Sequence, residues 1–173
     1  VPGRLECIAN LNNNSNIIID FAHTPDALEQ SLRALKEQFK KKIILVFGCG
    51  GERDKSKRAN MGKIAGKFCK KVFVTDDNPR HENPKKIRAS IIRGCTKKIK
   101  IFEIGNRKKA IEKAIKELES NQVLLVAGKG HEEIQDYGKK IKKFSDKKLI
   151  KWIIKKNSLL FKNESYEKKL LKG

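Results

Sequence analysis

The chain has 173 residues, 38% of them hydrophobic, which is enough for one domain with a proper core. Its longest apolar runs, such as 123–127, are too short to cross a bilayer, so we expect no membrane association and a cytoplasmic location. The formal net charge of +21 makes nucleic acid a candidate partner, but only 6% of the residues are aromatic, which leaves little for base stacking.

A lysine-rich coding bias explains this charge without any partner, and we favour it over nucleic-acid binding. A basic α/β nucleic-acid-binding module remains the alternative, and its affinity would fall steeply with salt. The charge is densest from Lys139 to Lys172, a segment with 13 lysines and 3 acidic residues, so a tail that binds a surface remains an alternative. The four cysteines are far apart, with no CxxC, and indicate neither a zinc site nor a disulfide framework.

The first third of the chain alternates between strand and helix patterns. Residues 7–9 and 17–19 predict two strands joined by a polar turn, and the second ends at Asp20. Thr24 is the predicted N-cap of the following helix, and Pro25 suits its first position. Residues 43–47 predict a buried strand that runs into a glycine-rich loop, 48–51.

That loop allows two interpretations. Its glycines permit a ligand to approach the backbone near a helix start, or they form a tight strand-to-helix turn without a ligand. It is not a phosphate-binding Walker loop, because the Gly-Lys-Ser/Thr ending is missing. It also fails the dinucleotide fingerprint of an oxidoreductase, a second alternative, because Arg53 stands where a glycine is required.

Residues 72–74 predict another buried strand, which ends in Asp77-Asn78-Pro79-Arg80. Pro79 fixes its own φ and favours an extended backbone at the preceding residue, Asn78. A carboxylate, an amide and a guanidinium are therefore held in a nearly fixed arrangement. Such an array suits a zwitterion, because Arg80 can take carboxylates and Asp77 an ammonium group. A solvated turn before the next helix is the competing interpretation.

The rest of the chain repeats the alternation. Helices are predicted from Pro84 and around 111–118, and strands at 101–104 and 123–127; a possible hairpin at 134–144 precedes a helix capped by Ser145. This order predicts an α/β fold with a mostly parallel sheet. The strand ends then share one edge, which collects the following polar residues: His23, Arg53, Asp77, Arg80, His131 and Glu132. We expect the domain to span 1–156 and a basic, flexible tail to span 157–173.

Five segments carry a family resemblance: GRLE, DFAHTPD, GCGGERDKSKR, DNPRHENP and GKGHEEIQ. In this order and spacing they resemble the C-terminal domain of the Mur ligases, over residues 1–146. Within that family, DNPR is typical of the branch that uses meso-diaminopimelate rather than lysine. The resemblance implies a Rossmann-like sheet with helices on both faces.

The resemblance also implies an activity, an ATP-dependent amide ligase of peptidoglycan synthesis that adds meso-diaminopimelate to UDP-MurNAc-dipeptide. Carried over by position, the residues that would hold meso-diaminopimelate are Arg53, Asp77, Asn78, Pro79, Arg80, Gly128 and Glu132. The residues that would face the nucleotide are Arg4, Asp20 and His23. ATP and Mg²⁺ would be held mainly by a central domain, of which this sequence contains no motif, and we expect the ligase to be a monomer.

One departure from the family concerns the nucleotide side. Phe21 stands where the family usually has tyrosine, which removes a hydroxyl group and keeps the ring. Since the sequence also holds no Walker loop, no Mg²⁺ ligands and no carbamylated-lysine region, we expect a fragment or separated domain of a longer enzyme.

We predict that the chain by itself folds but shows no ATP-dependent ligase activity, because the phosphate-binding residues are missing from its sequence. The measurement is ADP release in the presence of ATP, UDP-MurNAc-dipeptide and meso-diaminopimelate. Release that depends on both the dipeptide and the amino acid would contradict this expectation.

Overall fold

The computed structural model describes residues 3–96 and 98–170, with side chains as far as residue 158. In this part of the chain the elements follow in the order β1 (Glu6–Asn10), β2 (Asn16–Asp20), α1 (Pro25–Phe39), β3 (Lys42–Phe47), α2 (Ser56–Phe68), β4 (Cys69–Val74), α3 (Pro84–Gly94), β5 (Lys100–Glu103), α4 (Arg107–Lys116), β6 (Gln122–Ala127), β7 (Ile134–Asp136), β8 (Ile141–Lys143) and α5 (Asp146–Leu170). The predicted alternation of strands and helices is confirmed.

The main sheet has six strands in the order β1-β2-β6-β3-β4-β5. Only β1 runs antiparallel to its neighbour; the other four pairings are parallel. Because parallel strands begin at one edge and end at the other, β2, β3, β4 and β6 all deliver their following loops to the same edge. β7 and β8 form a separate antiparallel hairpin.

Helices cover both faces of this sheet, as the family resemblance implied. Leu45 and Phe47 of β3 point into a core that also contains side chains from α1, α2 and α3. Ile44 and Val46 point the other way, into a core with residues of α4 and α5. Strands buried on both sides explain the continuous apolar runs in the sequence.

Side-chain caps fix where the helices begin at the functional edge. Thr24 Oγ1 accepts a hydrogen bond from Ala27 N at 3.3 Å, and Pro25 occupies the first helical position, as predicted. Ser145 Oγ accepts a bond from Lys148 N at 3.2 Å at the start of α5. The sequence therefore determined both helix starts through local capping.

A fully buried ion pair joins the two helices on the second face. The guanidinium of Arg107 donates to both carboxylate oxygens of Asp146, at 2.8 and 2.7 Å, and neither side chain is exposed. Arg107 Nη2 also donates to the carbonyl of Ala127, at 3.0 Å, where β6 ends. The pair thus holds the starts of α4 and α5 against the functional edge of the sheet.

Helix α5 runs without interruption across the boundary predicted at residues 156 and 157. The division into a domain and a flexible tail therefore stays a prediction, and residues 171–173 of that tail lie outside the described residues. Among the helices that are described, none is both long and apolar enough to cross a membrane.

We predict that Asp146→Asn lowers the free energy of unfolding by about 3–5 kcal/mol, because it leaves the buried charge of Arg107 without a counterion. Urea denaturation provides the measurement. The matched control is Glu112→Gln, which removes an exposed ion pair with Lys108 and should change stability by less than about 1 kcal/mol. Equal effects of the two substitutions would contradict the assignment.

Candidate functional site

A cavity of about 360 Å³ opens where β2, β3, β4 and β6 end. It is lined by Phe21, His23, Thr24, Gly48, Cys49, Gly50, Arg53, Asp54, Lys57, Arg58, Met61, Asp77, Asn78, Arg80, Gly128 and Glu132. Residues from four separate loops converge here because the parallel strands deliver them to one edge. The lining mixes cations and anions, so the cavity suits a small ligand that carries both charges.

One nitrogen of the Arg80 guanidinium is hydrogen-bonded to the backbone of a neighbouring loop, and the other two are available to a ligand. Its Nη1 donates to the carbonyl of Gly51 at 2.8 Å, which ties the loop after β4 to the glycine-rich loop after β3. Within the described part of the chain, neither Nε nor Nη2 of Arg80 has a hydrogen-bond acceptor. Two adjacent donors of a guanidinium can bind one carboxylate in a bidentate arrangement, so Arg80 can take an anion in the cavity.

Asp77 offers the opposite charge. Its side chain is buried, and none of the described residues donates a hydrogen bond to its carboxylate. Burial raises the pKa of Asp77, and the positive charges of Arg107 and Lys129 offset part of that rise. A buried carboxylate without a direct donor is costly, and a cationic ligand would relieve the cost.

Gly128 has to be a glycine for the carboxylate of Asp77 to lie where it does. Its φ of +112° is rare for other residues, and a Cβ at this position would lie 2.6 Å from Asp77 Oδ2. The predicted role of Gly128, room for backbone contact with a ligand, is untested. The contact observed here is with Asp77.

Three polar side chains beside the cavity, Asn78, Lys129 and Glu132, form a hydrogen-bond network. The ammonium group of Lys129 is fully buried and donates to Asn78 Oδ1 at 3.1 Å and to Glu132 Oε2 at 3.0 Å. Asn78 Nδ2 also donates to Glu132 Oε2, at 3.3 Å. Asn78 is therefore largely engaged inside the protein, while Glu132 keeps its second oxygen without a donor among the described residues.

The glycine-rich loop packs against the loop after β4 rather than closing on itself. Gly51 N donates to the carbonyl of Asn78 at 2.8 Å, and a Cβ on Gly51 would overlap the carbonyl oxygen of Pro79 at 1.8 Å. The sequence left open a close approach to a ligand or a simple tight turn. The structure adds a third reason for glycine, the contact between two loop backbones.

Arg58 and Glu82 reinforce the same contact. Both carboxylate oxygens of Glu82 accept bonds from the buried guanidinium of Arg58, each at 3.0 Å, and Arg58 Nη2 donates to the carbonyl of Gly50 at 3.1 Å. Glu82 Oε1 also accepts from the amide of Glu52, at 2.6 Å. A charged pair thus joins α2, the glycine-rich loop and the segment after Arg80.

Most of the predicted residues come together, and some do not. Those that line the cavity are Arg53, Asp77, Asn78, Arg80, Gly128, Glu132 and, from the predicted nucleotide side, His23. Three predicted residues lie outside the cavity lining: Pro79, which is buried, Arg4, which is exposed, and His131. The ligand roles of all these residues stay predictions.

Asp20 is engaged inside the protein. Its carboxylate accepts bonds from Leu5 N at 3.2 Å, from Phe21 N at 3.0 Å and from the hydroxyl of Ser31. The residue lies at the end of β2, as the sequence indicated, but outside the cavity lining. The observed contacts join the segment before β1, the loop after β2 and the middle of α1.

Sequence reasoning missed four buried polar residues that shape the site: Arg58, Arg107, Lys129 and Gln135. Lys129 and Gln135 fall within a segment that was singled out, but a lysine or glutamine in a polar loop is normally exposed. Lys129 pairs with the nearby Glu132, but its other partner, Asn78, and the carbonyls bonded by Gln135 lie far away in sequence.

The thiol of Cys49 lines the cavity, where burial and then the charge of Asp77 raise its pKa to about 12. It is therefore not a thiolate nucleophile at neutral pH. As for a metal, no group of three or more His, Cys, Asp or Glu in the described ranges is arranged to hold one.

We predict a pH-dependent contribution from Glu82. The hydrogen bonds from Arg58 lower the pKa of Glu82 from its ordinary value of 4.5 to about 2, so the pair stabilises the fold above that ordinary value and is lost as the pH falls towards about 2. The parent should exceed Glu82→Gln in free energy of unfolding at neutral pH, and the difference should shrink as the pH falls. Urea denaturation across this pH range measures it; a difference that stays constant would contradict the expectation.

Comparisons with known proteins agree with this geometry. Residues 3–130 match the family described as Mur ligase, glutamate ligase domain. A UDP-N-acetylmuramoyl-L-alanyl-D-glutamate--2,6-diaminopimelate ligase of Rickettsia rickettsii is 50% identical over 157 residues, which cover 90% of this chain and 32% of the relative. A solved structure of a ligase with the same name superposes with a TM-score of 0.83 at 34% identity, over 91% of this chain and 32% of that one.

A solved structure of E. coli FolC in complex with ADP superposes with a TM-score of 0.57 over 74% of this chain and 28% of its own. At 18% identity this likeness shows the fold alone. The chain spans about a third of the length of the two diaminopimelate ligases named above. With its sheet, its edge cavity and a family match over most of its length, the chain belongs to the Mur ligase family and comprises the glutamate ligase domain.

Proposed function

We propose that this domain binds meso-diaminopimelate and presents it to the rest of an ATP-dependent ligase of peptidoglycan synthesis. The observation that carries the proposal is one cavity that holds both the carboxylate of Asp77 and donors of Arg80, neither of which has a hydrogen-bond partner among the described residues. Relatives named as 2,6-diaminopimelate ligases, at about half identity, support the same substrate.

The charges of the substrate and of the cavity are complementary. Diaminopimelate carries two carboxylates and two ammonium groups, so its recognition needs cations and anions at separate, fixed positions. Arg53 and Arg80 supply the cations, and Asp77 and Glu132 supply the anions. Lysine lacks the second carboxylate, so a guanidinium placed to meet that group would face the ammonium of lysine instead and disfavour it.

In the reaction that the family carries out, ATP transfers its terminal phosphoryl group to the free carboxylate of UDP-MurNAc-dipeptide. The amino nitrogen of diaminopimelate then attacks the carbonyl carbon of that acyl phosphate, forms the amide bond and releases phosphate. We propose that this domain holds and orients the attacking amino acid, and that the phosphoryl transfer takes place in domains outside this sequence.

The nucleotide would approach from the side of His23, whose ring lies 4.6 Å from that of Phe21 at the rim of the cavity. We retain Arg4 and Asp20 as candidates on that side, with Asp20 acting through the backbone that it holds. ATP and Mg²⁺ would be bound mainly by the other domains.

We predict that Arg80→Ala weakens binding of meso-diaminopimelate by about tenfold to a hundredfold, since one charge-assisted contact contributes about 1.5–3 kcal/mol. Lysine binding should fall less or rise. Calorimetric titration of the chain with each amino acid measures both affinities. Arg33→Ala on the exposed face of α1 is the matched control and should leave both unchanged.

Two outcomes would count against this assignment in different ways. An equal loss of affinity for both amino acids would show that Arg80 maintains the loop conformation and does not bind the second carboxylate. A parent chain that binds neither amino acid would overturn the proposed substrate itself.

A further inference from the structure

The β7–β8 hairpin lies directly behind the loop that carries Asp77 and Arg80. The amide of Asp136 donates to Asn78 Oδ1 at 3.0 Å, and the carbonyl of Asp136 accepts a bond from Arg80 N at 2.9 Å. One residue of β7 is thus bonded on both sides to the loop. The hairpin and the substrate loop form a single hydrogen-bonded unit although they are 58 residues apart in sequence.

Gln135 makes the deepest of these contacts. Its side chain is 5% exposed, and its Nε2 donates to the carbonyls of Asp76 and Asp77, at 3.2 and 3.0 Å. Arg107 Nη1 also reaches the first of these carbonyls, at 3.4 Å. Among the residues with described positions, the second carbonyl, that of Asp77, has Gln135 as its only hydrogen-bond donor.

The backbone of the loop needs such support. Arg80 has a φ of +52°, in the left-handed region that costs a residue with a side chain about 1–3 kcal/mol. Such a conformation persists only where its surroundings determine it. The bond from Arg80 N to Asp136 provides part of this constraint, and Gln135 fixes the peptides at Asp76 and Asp77 that lead into the loop.

Among the described residues, the two strands of the hairpin contribute no buried apolar side chain. Each of its strands has three residues, and its two isoleucines, Ile134 and Ile141, are 44% and 63% exposed. A two-stranded ribbon of this size is marginal by itself. Gln135 is the buried residue of β7, and it is buried against the loop rather than in an apolar core.

We infer that Gln135 is a positioning residue for substrate selection: through the carbonyls of Asp76 and Asp77 it sets the spacing between the Asp77 carboxylate and the Arg80 guanidinium. This inference rests on the proposed function. The distance between the two charges has to match the distance between an ammonium and a carboxylate of diaminopimelate, so a loosened loop loses the preference for that substrate over lysine. Gln135 itself lies outside the cavity lining, so it would act through the loop.

The test compares Gln135→Leu with the parent chain in calorimetric titrations with meso-diaminopimelate and with lysine. Leucine keeps the approximate size and removes the donor. We expect the ratio of the two affinities to fall by about tenfold, because diaminopimelate binding weakens and lysine binding changes little. Ile141→Thr is the matched control on the same hairpin; it keeps a β-branched residue at an exposed position and should preserve the ratio.

Thermal unfolding of each variant shows whether the fold is intact. A Gln135→Leu chain that unfolds like the parent and keeps the affinity ratio within about twofold would overturn the inference. So would an equal weakening for both amino acids, which is what a structural role alone produces.

Hydrogen exchange in the parent provides a measurement that needs no variant. If hairpin and loop act as one unit, bound meso-diaminopimelate should slow exchange in a peptide covering residues 134–138 as well as in the loop at 77–80. Slowing in the loop alone would overturn the inference. No slowing in either segment would mean that the ligand does not bind, and it is the proposed function that would then fail.

Discussion

Arg107 carries a buried positive charge at the point where β4 and β6 leave the sheet. Its guanidinium is bonded to the Asp146 carboxylate and to the carbonyls of Asp76 and Ala127, so one side chain connects two helices with two strand ends. A charge without exposure to water has to be satisfied by such fixed partners, and removal of any of them is expensive. The geometry of the functional edge therefore depends on this group being in place.

The charge of Arg107 also reaches the cavity. Together with Lys129 it offsets part of the rise in the pKa of Asp77 that burial causes. Two buried cations thus lie near an anion that has no direct donor among the described residues. A cationic ligand in the cavity would relieve the cost of burying this carboxylate.

The large positive net charge is a property of the surface and has little bearing on the cavity. Lysines form many of the exposed positions on the helices, where several pair with glutamates in exposed ion pairs such as Lys113 with Glu117 at 2.8 Å. The cavity, by contrast, is lined by both cationic and anionic side chains. The family match and the fold likewise favour a ligase domain over a basic nucleic-acid-binding module.

Local patterns in the sequence were enough to predict the order of strands and helices, the caps at Thr24 and Ser145, and the edge where Arg53, Arg80 and Glu132 meet. These features follow from neighbouring residues and from the rule that parallel strands end together. The burial of Lys129 and Gln135 could not be predicted in this way, since lysine and glutamine are mostly exposed and these two are buried against Asn78, Asp76 and Asp77, far away in sequence.

Only the tertiary structure decided which side chains remain free for a ligand. Asn78 and Asp20 belong to motifs that indicate binding, yet both are engaged by internal partners, whereas Asp77 is left without a donor among the described residues. The partners of a polar group come from elements far apart in the chain, so its availability is set by packing. The sequence thus determined the fold and the edge that carries the site, and the contacts across that edge determined the chemistry of the site.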